Sequence, residues 1–333
     1  MINSGNLKVN SGQQDCIFTQ KSLVPRIMTL IVSHSEIDAL VSLMDEPNVD
    51  IFSGIQNKVI NYGTAAIPFL EEAWLHTFNS RVSRRLENSI EEIKFQHASH
   101  LILEWLNDDT RTPIDMMHIL AEYIDEHYER DEQQKWMDHL YRDCWLEFND
   151  NLTALEEIKV INHVLYKVYD LTNYLPGQNR LHGFFPDSFH NRKTGNAISM
   201  GLIYLMIGQK LHIPLSGINL PNQFVLAYLE RNARKRYLSG QPPTKNDVLF
   251  YINPSHTGAI FTQNEINAYG SHLGMNKMDE YSLPCSQKAM AIQFLHELHL
   301  SLMEENRTTK DNNILKFMQL LDETPAHLGQ KIC

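Results

Sequence analysis

Residues 181–229, LHGFFPDSFHNRKTGNAISMGLIYLMIGQKLHIPLSGINLPNQFVLAYL, decide how this chain is read. The stretch divides into a loop, a helix, a Pro-bounded turn and a strand. Its helix, 197–211, is apolar on nearly every side: Ile198, Met200, Leu202, Ile203, Leu205, Met206 and Ile207 leave no polar face. Such a helix belongs inside a domain, not on its surface. The run FVLAYL at 224–229 has the apolar, aromatic composition of a strand bounded by turn residues.

Working outward, VLFYI at 248–252 gives a second strand, with shorter ones at 258–261 and 215–219. Residues 171–196 hold Pro176, Gly177, Gly183 and Pro186 and no long periodic run, which marks an ordered loop. Upstream, Thr153 with Glu156 forms a capping box, and a helix is expected through Tyr169. Before that the chain reads as helical throughout. Ile37, Leu40, Val41 and Met44 have one-face spacing, and Pro47 stops that helix. A second helix ends at Gly63, and a third carries Pro68 in its first turn. Further helices are expected at 81–107, with a break near Phe95–His97, at 113–128 and at 132–148. Short amphipathic helices with tight Pro and Gly stops suggest a HEAT-type repeat. Residues 286–303 and 311–322 return to helical period, as a terminal hairpin.

The expected fold class is α+β. Residues 1–34 are expected to form a polar, disordered extension, 35–150 a helical (HEAT-like) domain, 151–275 the core, and 276–333 the C-terminal hairpin and tail. Met28 is an alternative start to Met1.

Composition narrows the functional classes. The 333 residues are 43% hydrophobic, enough for a sizeable core. A net charge of −11 with no basic stripe argues against nucleic acid. The one basic cluster, Arg231, Arg234, Lys235 and Arg236, reads as a solvated loop. No apolar run is long enough to span a membrane, and residues 24–32 lack the flanks of a signal peptide. Cys16, Cys144, Cys285 and Cys333 have no paired spacing, as expected of free thiols in a cytoplasmic protein.

Five blocks together resemble the bacterial SirB-type family of the transglutaminase-like superfamily. They are 36–74 (EIDALVSLMDEPNVDIFSGIQNKVINYGTAAIPFLEEAW), 145–169 (WLEFNDNLTALEEIKVINHVLYKVY), 194–228 (TGNAISMGLIYLMIGQKLHIPLSGINLPNQFVLAY), 250–261 (FYINPSHTGAIF) and 283–295 (LPCSQKAMAIQFL). The resemblance implies a papain/transglutaminase-like core flanked by the N-terminal helices and the hairpin. In active members a Cys opens the buried helix, a His sits on the first long strand, and an Asp or Asn lies on the next. A helix N-terminus favours the thiolate, the His shuttles its proton, and the third group orients the ring. Carried over, the three positions fall on Ala197, Gln223 and Asn253. Ala has no nucleophile, Gln takes no proton near neutral pH, and Asn has no base to orient.

Rival sites are weaker. Ser199 with His256 would make an amide or peptide hydrolase. However, Ser199 lies about 200° round the helix from the position two residues before it, and a serine bonded within its helix is the simpler reading. Cys144 and Cys285 read as packing. His97 with His100, and His296 with His299, have one-face spacing but no third ligand, so no metal and no cofactor is expected. His182, Phe184, Phe185 and Asn222 are candidates to line a groove beside the buried helix, with core cover as the equal alternative for the aromatic pair. The functional expectation is a non-catalytic protein that binds a peptide or protein partner.

Overall fold

A computed structural model describes residues 34–108, 110–174, 180–220, 223–238, 244–274, 282–304 and 308–323. The expected N-terminal extension and both candidate start methionines lie outside these residues.

The chain opens with α1 (His34–Ser42), α2 (Val49–Asn61) and α3 (Ile67–His76). Each boundary has a local cause. The Asn48 side chain caps α2 by accepting from the Asp50 and Ile51 amides. Gly63, at φ +62°, ends that run in a conformation that suits glycine. α4 (Ser80–Asn107) then runs unbroken for 28 residues. The break expected near Phe95–His97 does not occur, because that stretch lacks Gly and Pro and its apolar positions face neighbours on both halves. α5 (Pro113–Ile124) starts on a Thr112–Asp115 capping box, and α6 (Arg130–Glu147) follows. α7 (Ala154–His163) starts on the expected Thr153–Glu156 box. It gives way to a wide π turn, Val164–Val168, where an α-helix through Tyr169 was expected.

A two-residue parallel pair, β1 (Thr172–Asn173) with β2 (Thr194–Gly195), brackets the long loop. α8 (Ala197–Leu211) is buried along its length. β3 (Leu215–Leu220), β4 (Gln223–Leu229), β5 (Val248–Asn253) and β6 (Ala259–Phe261) make an antiparallel sheet in chain order. Between β4 and β5 the basic cluster forms a helix, α9 (Arg231–Leu238), where a loop was expected. Two of its cations are paired: Arg231 with the buried Glu157, and Arg236 with the buried Asp247. Glu157 lies 74 residues before Arg231, and Asp247 lies 11 residues after Arg236 across the β4–β5 connection, so the helix is fixed by pairing outside itself and not by an apolar stripe. α10 (Gln263–His272), α11 (Gln287–Glu304) and α12 (Thr308–Glu323) complete the chain. The architecture is α+β, a small antiparallel sheet embedded in helices.

Three apolar clusters make up the interior, one of them on the reverse face of the sheet around Val225, Ala227 and Tyr251. Ile37, Met44, Val59, Leu70, Leu86 and Ile93 form the N-terminal one. The largest runs from Ala98 to Leu321 and takes in α5, α6, α8, one face of the sheet and both C-terminal helices. The change from the N-terminal cluster to the largest falls within α4, between Ile93 and Ala98. α12 closes the circuit back to α4 and α5. Phe317 packs 4.8 Å from Phe95 and 5.3 Å from Tyr123, centroid to centroid, and Lys310 Nζ donates to the Tyr123 carbonyl at 2.6 Å.

α5 also carries a fully buried histidine. His118 Nε2 donates to Gln134 Oε1 at 3.1 Å, since a carbonyl can only accept, which leaves Nδ1 to accept the Tyr128 hydroxyl at 2.5 Å. Burial, with the Arg130 cation adding to it, pushes this imidazole down to about 4.

Candidate functional site at the start of the buried helix

Asn196 starts α8, its Oδ1 accepting the Ser199 amide at 2.8 Å. Ala197 follows, half-buried against the main core. One turn on, on the same face, is Gly201. A Cβ placed there would lie 2.4 Å from the Phe224 ring, so Phe224 rests directly on the helix backbone. Gly217 on β3 bounds the same ring from the other side, where an added Cβ would come within 2.9 Å of it.

The pleat decides what faces the helix. Successive strand residues point to opposite faces. Phe224, Leu226 and Tyr228 share the main core with α8, as do Phe250 and Ile252. Val225, Ala227, Leu229 and Tyr251 pack on the reverse face with Ile218 and Leu220. Gln223 is the register partner of Leu220 and so takes the reverse face. Asn253 lies one residue beyond Ile252, on the face of Tyr251. The structure thus does not bring Ala197, Gln223 and Asn253 together on one face; Phe224 is the β4 residue that faces α8.

Asn253 has another task. Its Oδ1 accepts from Ser255 N at 3.1 Å and Ser255 Oγ at 2.8 Å, capping the short turn Pro254–His256. That turn is pinned from outside. Tyr166 Oη donates to the Pro254 carbonyl at 2.6 Å, Asn162 Nδ2 to the Gly258 carbonyl at 2.9 Å, and Tyr204 Oη to Asn162 Oδ1 at 2.5 Å. Gly258, at φ +68°, has no room for a side chain, because Asn162 occupies the space.

The rival residues also part company. Ser199 is fully buried, and its Oγ donates to the Phe184 carbonyl at 3.0 Å. His256 is exposed, beside Ser255. Cys144 is buried, and its thiol is pushed up to about 12 by that burial. Cys285 is partly exposed and lies against edge strand β3, its Sγ 3.0 Å from the Gly217 carbonyl. Phe184 and Phe185 are 3% and 6% exposed; they fill the main core and do not line an open groove. Phe184 stacks edge-on against Phe294 at 5.5 Å, which explains its burial. Asn222 and the side chain of His182 lie outside the described residues. His97 is exposed, His100 lies near Glu104, and His299 faces Asp311 across the terminal hairpin. No cluster of metal-ligating side chains occurs among the described residues.

Sequence reasoning missed Asn219. It is the register partner of Phe224 and so shares the α8-facing side of the sheet. Its Oδ1 is buried and has no hydrogen-bond partner among the described residues. Alternation along β3 was the available signal.

A helix buried against one face of a four-stranded antiparallel sheet forms the α+β core. The chain carries a transglutaminase-like superfamily domain, whose family model matches residues 131–296, from α6 into α11. No curated protein and no solved structure matches the chain. Among the described residues, no helix is long and apolar enough to cross a membrane.

Proposed function

We propose that this chain is a non-catalytic transglutaminase-like protein, of the SirB type, that works as a peptide- or protein-binding module. The observation that carries the reading is the start of α8. A methyl group, Ala197, stands where a nucleophile would open the helix, and the ring of Phe224 covers the next turn. The helix-terminus field that would sharpen a thiolate has no thiol to act on there. Asn219 Oδ1 supports binding over a merely filled interior, since an unpartnered buried acceptor is costly unless something donates to it. The N-terminal helices, read as HEAT-like, add a second surface of the kind that commonly presents binding faces.

A hydrolase built on Ser199 and His256 is the alternative. It would need Ser199 Oγ to leave its bond to the Phe184 carbonyl and reach a histidine that sits in an exposed turn. The assay that separates the two incubates the purified chain with fluorescent amine donors, glutamine peptides and peptide amides. The binding reading predicts no amine incorporation and no hydrolysis above the uncatalysed rate. Turnover abolished by Ser199→Ala would establish the hydrolase instead.

A further inference from the structure

The helical layer holds a surface unrelated to the start of α8. α3 packs on α4 through Leu70, Leu86 and Ile93, and beside that contact the surface of α3, α4 and α5 holds two adjoining grooves, of about 310 and 470 Å³. They share Glu71, Lys94 and Glu126 and so form one trough. Its lining residues run along α4 from Glu87 to Leu101, a length of roughly 21 Å at the α-helical rise. That matches a helix of about four turns.

The trough is acidic over an apolar floor. Glu71, Glu87, Glu91, Glu122 and Glu126 line it against the single Lys94. That lysine is already committed, with Nζ 2.6 Å from Glu126 and 4.0 Å from Glu71. One rim is apolar and open: Trp74 is 41% and Leu75 71% exposed, and Phe78, just beyond α3, is fully exposed. Adjacent large apolar side chains left in water mark interaction sites. The whole chain carries a net charge of −11, which draws cationic partners toward it.

We infer that this trough docks a basic amphipathic helix of a partner protein. The partner's apolar stripe lies on Trp74 and Leu75, and its lysines or arginines face Glu71, Glu87 and Glu126. Helix-in-groove recognition supplies affinity through the apolar anchors, and the carboxylates supply orientation and on-rate. The site lies outside residues 131–296, so it does not depend on the fate of the transglutaminase-like core. It deepens the binding reading by naming a partner chemistry. Its failure is separable from that of the reading, because turnover at α8 is measured independently.

The test uses the full chain and a fluorescein-labelled synthetic peptide of four helical turns, with leucine at i, i+3, i+4 and i+7 and lysine elsewhere. Fluorescence polarisation should show saturable binding that weakens with salt. Glu71→Gln with Glu126→Gln, and separately Trp74→Ala, should each weaken binding by about tenfold or more. Asp150→Asn, a single charge change in the turn between α6 and α7, should leave binding unchanged. Thermal melts establish that the variants are folded. A photoreactive version of the peptide should crosslink the wild-type chain within α3 and α4, a readout that needs no variant. No binding, crosslinks elsewhere, or affinity indifferent to both variants would each overturn the proposal. So would sedimentation showing a dimer abolished by Trp74→Ala, because the occupant would then be a second copy of the chain.

Discussion

Phe224→Ala is expected to destabilise the folded chain by about 3–5 kcal/mol, against less than about 1 kcal/mol for the neighbouring Gln223→Ala. The ring is 4% exposed and held between the backbones of two elements, at Gly201 on α8 and Gly217 on β3. The two glycines have no side chains to swing into the space, and of the neighbours there only the Met290 side chain, beside Gly217, can shift toward it, so truncation leaves a cavity that is at most partly refilled. Gln223 lies on the other face, at the strand end and partly exposed, with little apolar surface to lose. Urea unfolding should lower the midpoint for Phe224→Ala with an unchanged slope. Equal and small losses for both variants would mean that the pleat has been assigned the wrong way round.

The second large effect is a pH dependence centred on His118. Burial holds the folded imidazole at about 4, whereas the unfolded side chain titrates at its ordinary 6.5. Between these values the unfolded chain binds the proton and the folded chain does not, so stability falls as the solution is acidified. The contribution is fully present above pH 6.5, is lost progressively on the way down to about 4, and amounts to about 3 kcal/mol. The charged groups acting on the ring are Arg130, which with burial disfavours its protonation, and Asp115 and Asp138, which favour it; burial is the largest of these effects and sets the direction. His118→Gln can retain a hydrogen bond but not the titration. Its stability should therefore fall less steeply than wild type across this window in urea titrations. Parallel profiles would show that another group carries the dependence.

Much of this fold could be read from the sequence, wherever local signals suffice. α8 was expected at its observed bounds because its ends are local, an Asn196 cap and a polar stop near His212, and its interior is uniformly apolar. β4 and β5 followed from composition, and the terminal hairpin from its period. What escaped depends on distant partners. α9 shows no apolar stripe; its order comes from Glu157 on α7 and Asp247 before β5. The π turn after α7 has no sequence signature. α10, by contrast, carried a readable Thr262–Glu265 capping box that was overlooked.

The site was legible in position but not in facing. Counting along the chain placed the reading at the start of β4, and a shift of one residue in a strand exchanges its two faces. Phe224 and Gln223 differ by that single step. The aromatic pair Phe184 and Phe185 was ambiguous for another reason. An ordered loop can roof a core or line a cleft with the same residues, and only the packing partner, here Phe294, tells which.

The most direct measurement of the central claim is intact-mass and peptide mapping of the native chain after exposure to acyl-, serine- and thiol-directed electrophiles. The account predicts no stoichiometric modification anywhere on α8 or β4, with alkylation of Cys285 in preference to the buried Cys144. Rapid one-to-one labelling of Ser199, or of any side chain touching the first turn of α8, would contradict it.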